Sequence, residues 1–459
     1  MMTGLSEDIT ILAGGPAGLS VGYYARKRNL SFAVYEANDR VGGNCITLKH
    51  GDFMFDSGAH RLHDKDEEVT EEIKALLGDE LHRVSAPSQI FFRGKYIDFP
   101  LSPLDLLSKI GPIEFLKASL SFLKARLNKR SLDGSFESLA VHRYGRSISE
   151  KFLLNYSEKL WGLPCNHLSP NISGKRLKGL DLKTFLIEAT LGKLAKTQHL
   201  DGSFYYPKLG YGRVVERMEE FCGPENMRLN HRINRVIHDG KRIEAIGIEG
   251  QERTQRVRQV VSTLPLSFLL RIMEPAPPAE IMRLANSLRY RHLRLVALFL
   301  DKPAVNSNAT VYFPEKSFPF TRIYEPRNRS RLMSPPGKTS LVVEIPCHRE
   351  DEIWNIDDSQ LVCMVADKLS EIGWISKREV ISSWCGRMNY AYPILELGFE
   401  EKVVEIMGWL DRFENLDLSG RNGKFAYTHL HDMMRFGKDI ADAHGKGMAD
   451  PQSTLVPVA

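Results

Sequence analysis

The run Ile9-Thr10-Ile11-Leu12, broken at once by Ala13-Gly14-Gly15-Pro16-Ala17-Gly18-Leu19, narrows the fold of this chain more than any other feature. A short apolar strand, a glycine-rich turn and a helical stretch from Leu19 to Arg28 lead to a second strand, Phe32 to Tyr35. Together they make a βαβ unit of about 30 residues. In the spacing Gly-x-Gly-x-x-Gly the three positions are Ala13, Gly15 and Gly18. Gly15 lets the backbone approach a pyrophosphate, and Gly18 lets helix and strand pack closely. The helix N-terminus offers phosphates free N–H groups and a partial positive charge. Ala13 departs from the pattern, since that position favours glycine for its tight turn, and Gly14 is expected to take up the demand. Alone, such a turn also occurs in chains that bind no nucleotide. Glu36 adds context: it ends the second strand about 20 residues on, where a carboxylate accepts the ribose hydroxyls of an adenosine and repels a 2′-phosphate. A solvated strand-end carboxylate is the plain alternative.

With 459 residues the chain exceeds one simple core, and two joined domains are expected. The formal charge of +5 is small for this length, so no nucleic-acid partner is expected, and it suits an anionic small molecule. The six cysteines, Cys45, Cys165, Cys222, Cys347, Cys363 and Cys385, form no C-x-x-C pair. No metal site and no disulfide framework is therefore expected, and reduced thiols fit a cytoplasmic protein. Met1 to Asp8 reads as short and polar, so no leader peptide is expected. No apolar run approaches the roughly 20 residues that span a bilayer. The chain is expected to be soluble, or at most to rest on a membrane surface. The stretch Pro103 to Arg130, with Leu and Phe at helical spacing among lysines and arginines, could make that contact or pack on its own domain.

Strand signals recur at Gln89 to Ile97, Ile233 to Ile237, Ile243 to Ile248, Val257 to Ser262, Leu293 to Leu298, Ser340 to Ile345 and Leu416 to Ser419. Helical periods dominate from Leu104 to Leu186 and close the chain at about His429 to His444. The expected fold is α/β, a Rossmann-type nucleotide-binding domain interleaved with a mixed helical and β-sheet substrate domain. Its nucleotide-binding segments are placed at 7–65, 205–265 and 395–445. The substrate domain takes 66–204, with a helical subdomain, and 266–394, with its β-sheet, and 446–459 reads as a mobile tail.

Behind Glu36 the chain reads Ala37-Asn38-Asp39-Arg40-Val41-Gly42-Gly43-Asn44, a second glycine pair that a plain NAD site does not need. This segment resembles the FAD-binding amine-oxidase and protoporphyrinogen-oxidase superfamily, in which an Arg-x-Gly-Gly turn wraps the flavin pyrophosphate. The resemblance implies FAD as cofactor. It assigns to cofactor binding Ala13 through Gly18, Glu36, Ala37, Arg40, Gly42, Gly43 and Asn44. Phe55-Asp56-Ser57-Gly58-Ala59-His60-Arg61 is similar to the segment beside the isoalloxazine, which adds Gly58, Ala59, His60 and Arg61. The strand His231 to Val236 resembles the one that covers the adenine, through Val236. Leu418-Ser419-Gly420-Arg421-Asn422-Gly423 closes the site with Gly420 and Arg421, and the helix after it is expected to aim its N-terminus at the flavin pyrimidine.

Tyr156 and Trp161, within Tyr156-Ser157-Glu158-Lys159-Leu160-Trp161-Gly162, also resemble the pair that sandwiches the nucleotide in UDP-galactopyranose mutase. Arg176, Arg322, Tyr392 and Tyr427 fall where that family grips a diphosphate, and two guanidinium forks with two phenols suit such an anion. His429 stands where the mutase pattern carries an acid. Tyr205-Tyr206-Pro207-Lys208-Leu209-Gly210 and Gly179-Leu180-Asp181-Leu182 look more like the oxidoreductases. The first expectation is therefore an FAD-dependent oxidoreductase that moves a hydride from a small organic substrate to flavin N5. His60 or His63 would act as base, with Arg322, Tyr392 and Tyr427 in the catalytic group. The alternative is a mutase-like isomerase of a nucleotide sugar that works through the reduced-flavin N5. A non-catalytic flavin-binding protein is the third class.

Overall fold

The computed structural model describes residues 7–99, 101, 103–127, 132–177 and 203–446. Five parallel strands form the first sheet, in the order Leu416–Leu418, Gln259–Ser262, Ile9–Leu12, Phe32–Tyr35, Met227–Arg228. Its register lines up Leu12 with both Tyr35 and Ser262, and Ser262 with Leu418. The turns that begin at Ala13, Glu36, Thr263 and Ser419 therefore leave the sheet along one edge, the carboxyl ends of its strands. That edge is where open α/β sheets take ligands. Ile9, Ile11 and Leu12 are wholly buried, as a strand covered on both faces requires.

The helix Pro16–Lys27 starts three residues before the stretch expected from periodicity, because Pro16 suits a first helical position and Gly15 stands as N-cap. Two glycines let it pack close. A Cβ on Gly18 would lie 2.1 Å from the Ala13 carbonyl oxygen, and one on Gly437 would lie 2.7 Å from the Ser20 carbonyl carbon. The second contact comes from the last helix, Leu430–Lys446. A separate short helix, Gly420–Gly423, stands between the closing strand and that long helix. The long helix thus starts ten residues later than an element continuous with the Gly420 turn would, and lies along Pro16–Lys27.

A four-stranded sheet, ordered Gln255–Arg256, Ile243–Ile248, Ile233–His238, Met273–Glu274, flanks the parallel sheet. The second large sheet has seven strands: Val380–Pro393, Tyr290–Leu300, Thr339–Cys347, Arg322–Tyr324, Thr310–Tyr312, Ser88–Phe92 and Lys95–Phe99. Tyr290–Leu300 is buried along its whole length because it lies between two long strands. Against this sheet lie the helices Pro103–Ile110 and Pro112–Leu127, and then Phe136–Ile148, which runs through the π-helical stretch Ser149–Leu154 into Asn155–Trp161. No helix among the described residues is long and apolar enough to cross a membrane. The Gly179–Leu182 run and the tail beyond Lys446 lie outside the described residues.

Candidate functional site

At the carboxyl edge of the parallel sheet Glu36 is 5% exposed and already organised. Its Oε2 accepts the Gly14 N–H at 2.8 Å, and its Oε1 accepts the Asn38 N–H at 2.9 Å. The Asn38 side-chain amide also donates to Oε1, at 2.5 Å, so Oε2 keeps an open acceptor site and a second hydroxyl donor would displace that amide from Oε1. Ala13, not Gly14, takes the left-handed backbone, at φ 79°, which corrects the expectation that Gly14 relieves that turn. Its carbonyl is thereby drawn against the Cα of Gly18, and a methyl-sized side chain still fits at position 13.

Gly15 differs from its neighbours, since a Cβ there would meet nothing within 4 Å. The first bond inside the helix runs from Leu19 N–H to Gly15 O at 3.0 Å, leaving Ala17 and Gly18 N–H for a ligand at an N-terminus with no side-chain cap. Gly42 and Gly43 bring a second turn over this spot at φ 100° and 53°, and Gly42 N–H donates to Gly14 O at 2.8 Å. Gly420 comes in from the far end of the chain, so close that a Cβ on it would lie 2.7 Å from that of Ala17. Open space over Gly15, unpaired helical N–H groups and an acid beside them fit the pyrophosphate and ribose of a dinucleotide.

The other residues assigned to the cofactor spread out. Ala37 follows Glu36 at the strand end, and Arg40 is exposed, donating to the Val41 carbonyl at 3.2 Å. Val236 is fully buried, with its N–H on the Ile272 carbonyl at 2.7 Å. The same segment reaches Glu36 through His231, whose N–H donates to the Glu36 carbonyl at 2.8 Å. Arg61 points at Ser88 and Thr310, 2.7 and 2.6 Å away, and both Arg61 and His63 gather on Phe204. Arg421 donates to the carbonyls of Thr428, at 2.6 Å, and Ala391, at 3.2 Å.

A second cluster forms where the two large sheets meet, from segments far apart in sequence. Arg322 donates from Nε to the Glu344 carboxylate and from Nη2 to the Tyr392 hydroxyl at 3.0 Å. Trp161 stands edge-on to Tyr392 at 5.8 Å and to Tyr427 at 5.9 Å. The Arg421 guanidinium lies over both of those tyrosine rings, at 5.4 and 5.2 Å. Tyr156 approaches through Tyr312, 5.7 Å away, and Tyr312 is the β-partner of Arg322. Burial pushes the Tyr156 and Tyr392 hydroxyls up, so both stay protonated donors. Arg176 falls in the helical turn Pro170–Leu177, and its side chain lies outside what the structure describes.

His60 joins the two clusters. Its Nε2 stands 3.1 Å from the Asn44 carbonyl, and its ring stacks on Tyr211 at 5.1 Å. The Asn44 side chain in turn donates to the Asn389 carbonyl at 2.8 Å. Burial, and then the positive charges of Arg322, Arg421 and Arg329, push His60 down to about 3. The imidazole is therefore neutral near pH 7, and its Nε2 carries the proton, because a carbonyl can only accept.

Residue-type patterns missed the support beneath this site. Glu344 is 1% exposed, and its Oε1 accepts the Ala59 N–H at 2.7 Å. A lone acid in the apolar run Leu341-Val342-Val343-Glu344-Ile345 was the available signal. Asp56 is buried and accepts Tyr206 Oη at 2.6 Å, Thr47 Oγ1 at 2.7 Å and Tyr211 N–H at 2.9 Å, and burial raises its carboxyl. Arg329, also buried, donates to the His60 carbonyl at 2.8 Å and stacks on Tyr324 at 4.3 Å. One group of possible metal ligands, His429, His431 and Asp432, gathers among the described residues within 4.8 Å, where no metal was expected. Its acid caps the last helix by accepting the His429 N–H at 2.7 Å.

Comparison with known proteins agrees with this geometry. Protoporphyrinogen oxidase 1 of Arabidopsis thaliana chloroplasts is 27% identical over 162 residues, 33% of this chain and 30% of that protein. The spinach chloroplast protein is 28% identical over 157 residues, 32% and 27% of the two chains. The match thus spans less than a third of the length of these relatives. A reduced UDP-galactopyranose mutase superposes with a TM-score of 0.83 at 18% identity, covering 97% of this chain and 94% of the other. Cyclohexylamine oxidase of Brevibacterium oxydans gives 0.70 at 15% identity, covering 97% and 100%. The family described as flavin containing amine oxidoreductase matches residues 16–385, most of the chain, and its members depend on flavin, whose pyrophosphate the open cradle over Gly15 fits. The chain belongs to the flavin containing amine oxidoreductase family.

Proposed function

We propose that this protein is an FAD-dependent oxidoreductase whose substrate carries an anionic group into the cleft between its two large sheets. The observation that carries the reading is the meeting of Arg322, Tyr392, Tyr427, Trp161 and Arg421 from four separate segments. Glu36, the N–H groups of Ala17 and Gly18, and the turns at Gly42–Gly43 and Gly420 would hold the cofactor. When bound, FAD supplies a hydride acceptor at its N5. The chain's own residues bind and orient: Arg322 and the hydroxyl of Tyr392 donate toward an anion, and the aromatic edges exclude water. His60, kept neutral, would use its Nε2–H to hold the Asn44 carbonyl and so fix the loop beside the cofactor. Arg421 and Arg329 leave the site net positive, which favours negative charge arriving there.

The same convergence favours a second reading, a mutase-like isomerase of a nucleotide sugar. Tyr156 and Trp161 would flank the nucleotide while Arg322, Tyr392 and Tyr427 hold its diphosphate. Two anaerobic experiments on the purified flavoprotein separate the readings. A substrate that bleaches the oxidised flavin supports the oxidoreductase. Isomerisation of a nucleotide sugar by the photoreduced protein, with none by the oxidised one, supports the isomerase and overturns the first reading.

A further inference from the structure

The helix Pro112–Leu127 is apolar on two faces, and only one of them is covered. Ala118 is buried, and Phe115 packs beside it against Leu106, Ile148 and Phe152. On the opposite side Ile113, Leu116, Leu120, Leu123 and Leu127 recur at spacings of three and four residues, each 56–83% exposed. Residues so spaced form one stripe along a helix. Leu104, 59% exposed, and Phe99, 41% exposed, add to the same end of the molecule. An apolar stripe of this extent marks a surface that something covers.

Charge indicates what that is. Between Leu101 and Arg130 the sequence places six basic residues against two acidic ones. Among the described residues Lys109, Lys124 and Arg126 have no acidic partner, while Glu114 is taken by Lys117, at 3.1 Å, and Lys151, at 3.3 Å. We infer that this face docks on an anionic lipid bilayer, with the leucine stripe at the level of the acyl chains and the basic side chains reaching lipid phosphates. A second copy of the chain is a poorer occupant. In a two-fold pair the same patch faces itself, so unpaired lysine and arginine would meet their own kind. The docked face lies close to the cleft, because Phe99 packs on Tyr312 at 5.2 Å and Tyr312 on Tyr156 at 5.7 Å.

Flotation of the purified flavin-loaded chain with lipid vesicles tests this. The protein should rise with vesicles of phosphatidylcholine and phosphatidylglycerol, and far less with phosphatidylcholine alone, and rising salt should release it. Two variants at exposed positions, Leu116→Ser/Leu120→Ser/Leu123→Ser and Lys124→Glu/Arg126→Glu, should each lower vesicle partitioning roughly 10-fold or more. Flavin absorbance and melting should stay as in the wild type. A wild-type chain that stays with the soluble fraction, or equal binding to both vesicle types, overturns the proposal. So does a wild-type dimer in sedimentation that the leucine variant dissolves, because a second copy would then own the stripe.

Discussion

Glu344 and Arg322 form a buried ion pair whose acid also holds the loop before His60, through the Ala59 N–H at 2.7 Å. One carboxylate therefore sets both the direction of the guanidinium and the backbone that carries the imidazole. Removing one partner of a buried pair leaves the other charged and unmatched, which costs about 3–5 kcal/mol. Glu344→Gln should lower stability by about 3 kcal/mol, the lower end because Arg322 keeps 19% of its side chain exposed. Urea unfolding of the variant measures it. Arg322→Lys keeps the charge and loses the fork, so it should weaken an anionic ligand by about 1–3 kcal/mol while leaving the flavin spectrum alone. Titration with UDP, followed by flavin absorbance, is the assay. A purely structural arginine would lose stability with no selective loss of the ligand.

Gly15 and Gly18 make opposite predictions, although both belong to one motif. An alanine at position 18 would press its methyl on the Ala13 carbonyl at 2.1 Å, so helix and strand must part. Overpacking of this kind costs about 1–3 kcal/mol, and Gly18→Ala should lose both stability and flavin. Gly15→Ala meets nothing in the protein and should melt like the wild-type apoprotein, yet fill the cradle and lower flavin content. Thermal unfolding paired with the flavin-to-protein absorbance ratio separates the two. Equal flavin content in Gly15→Ala and wild type would remove the pyrophosphate from that spot.

The nucleotide end was legible because its signals are local: a turn, a helix start and an acid lie within some thirty residues. The aromatic and arginine cleft was reached only through family resemblance. Arg322 and Tyr392 stand on strands of one sheet, Tyr156 on a helix and Tyr427 in the loop before the last helix, and spacing along the chain does not encode the tertiary packing that gathers them. Glu344 could be suspected from its apolar surroundings, but its partners Ala59 and Arg322 could not be named. Ala13 misled for a different reason. The turn needs a positive φ, and this chain meets the need with a small residue held by its neighbours rather than with glycine. The lowered pKa of His60 was out of reach too, because it depends first on burial and then on three arginines, all brought in by tertiary contacts.

Glu36 carries the next prediction. It already accepts the Gly14 and Asn38 amides, so its carboxylate is oriented before any ligand arrives. Two charge-assisted hydrogen bonds to ribose hydroxyls are worth about 1.5–3 kcal/mol each. Glu36→Ala should therefore weaken FAD by about 3 kcal/mol or more, on the order of 100-fold. Purified variant with a wild-type flavin ratio, after dialysis at nanomolar protein, would contradict the assignment.

The last prediction concerns pH and rests on the neutral state of His60. Its value in the folded chain is about 3, against 6.5 for a free histidine, with burial as the largest cause and the arginine charges next. Below pH 6.5 the unfolded chain takes up a proton that the folded chain refuses, so stability falls as pH falls. The loss runs from about 6.5 down to about 3 and is absent above 6.5. His292, held near 4, adds to the same slope, so His60→Gln should shallow the acid limb of the stability curve without abolishing it. Urea midpoints from pH 8 to pH 4 would show this. The functional counterpart follows from the same number, because a group that titrates near 3 cannot set a rate profile between pH 6 and 8. His60→Gln should therefore change the rate but keep the shape of that profile. If the variant instead erased an acid limb near 6.5, His60 would be exchanging protons in the working enzyme. The arginine field around it would then be screened when ligands bind.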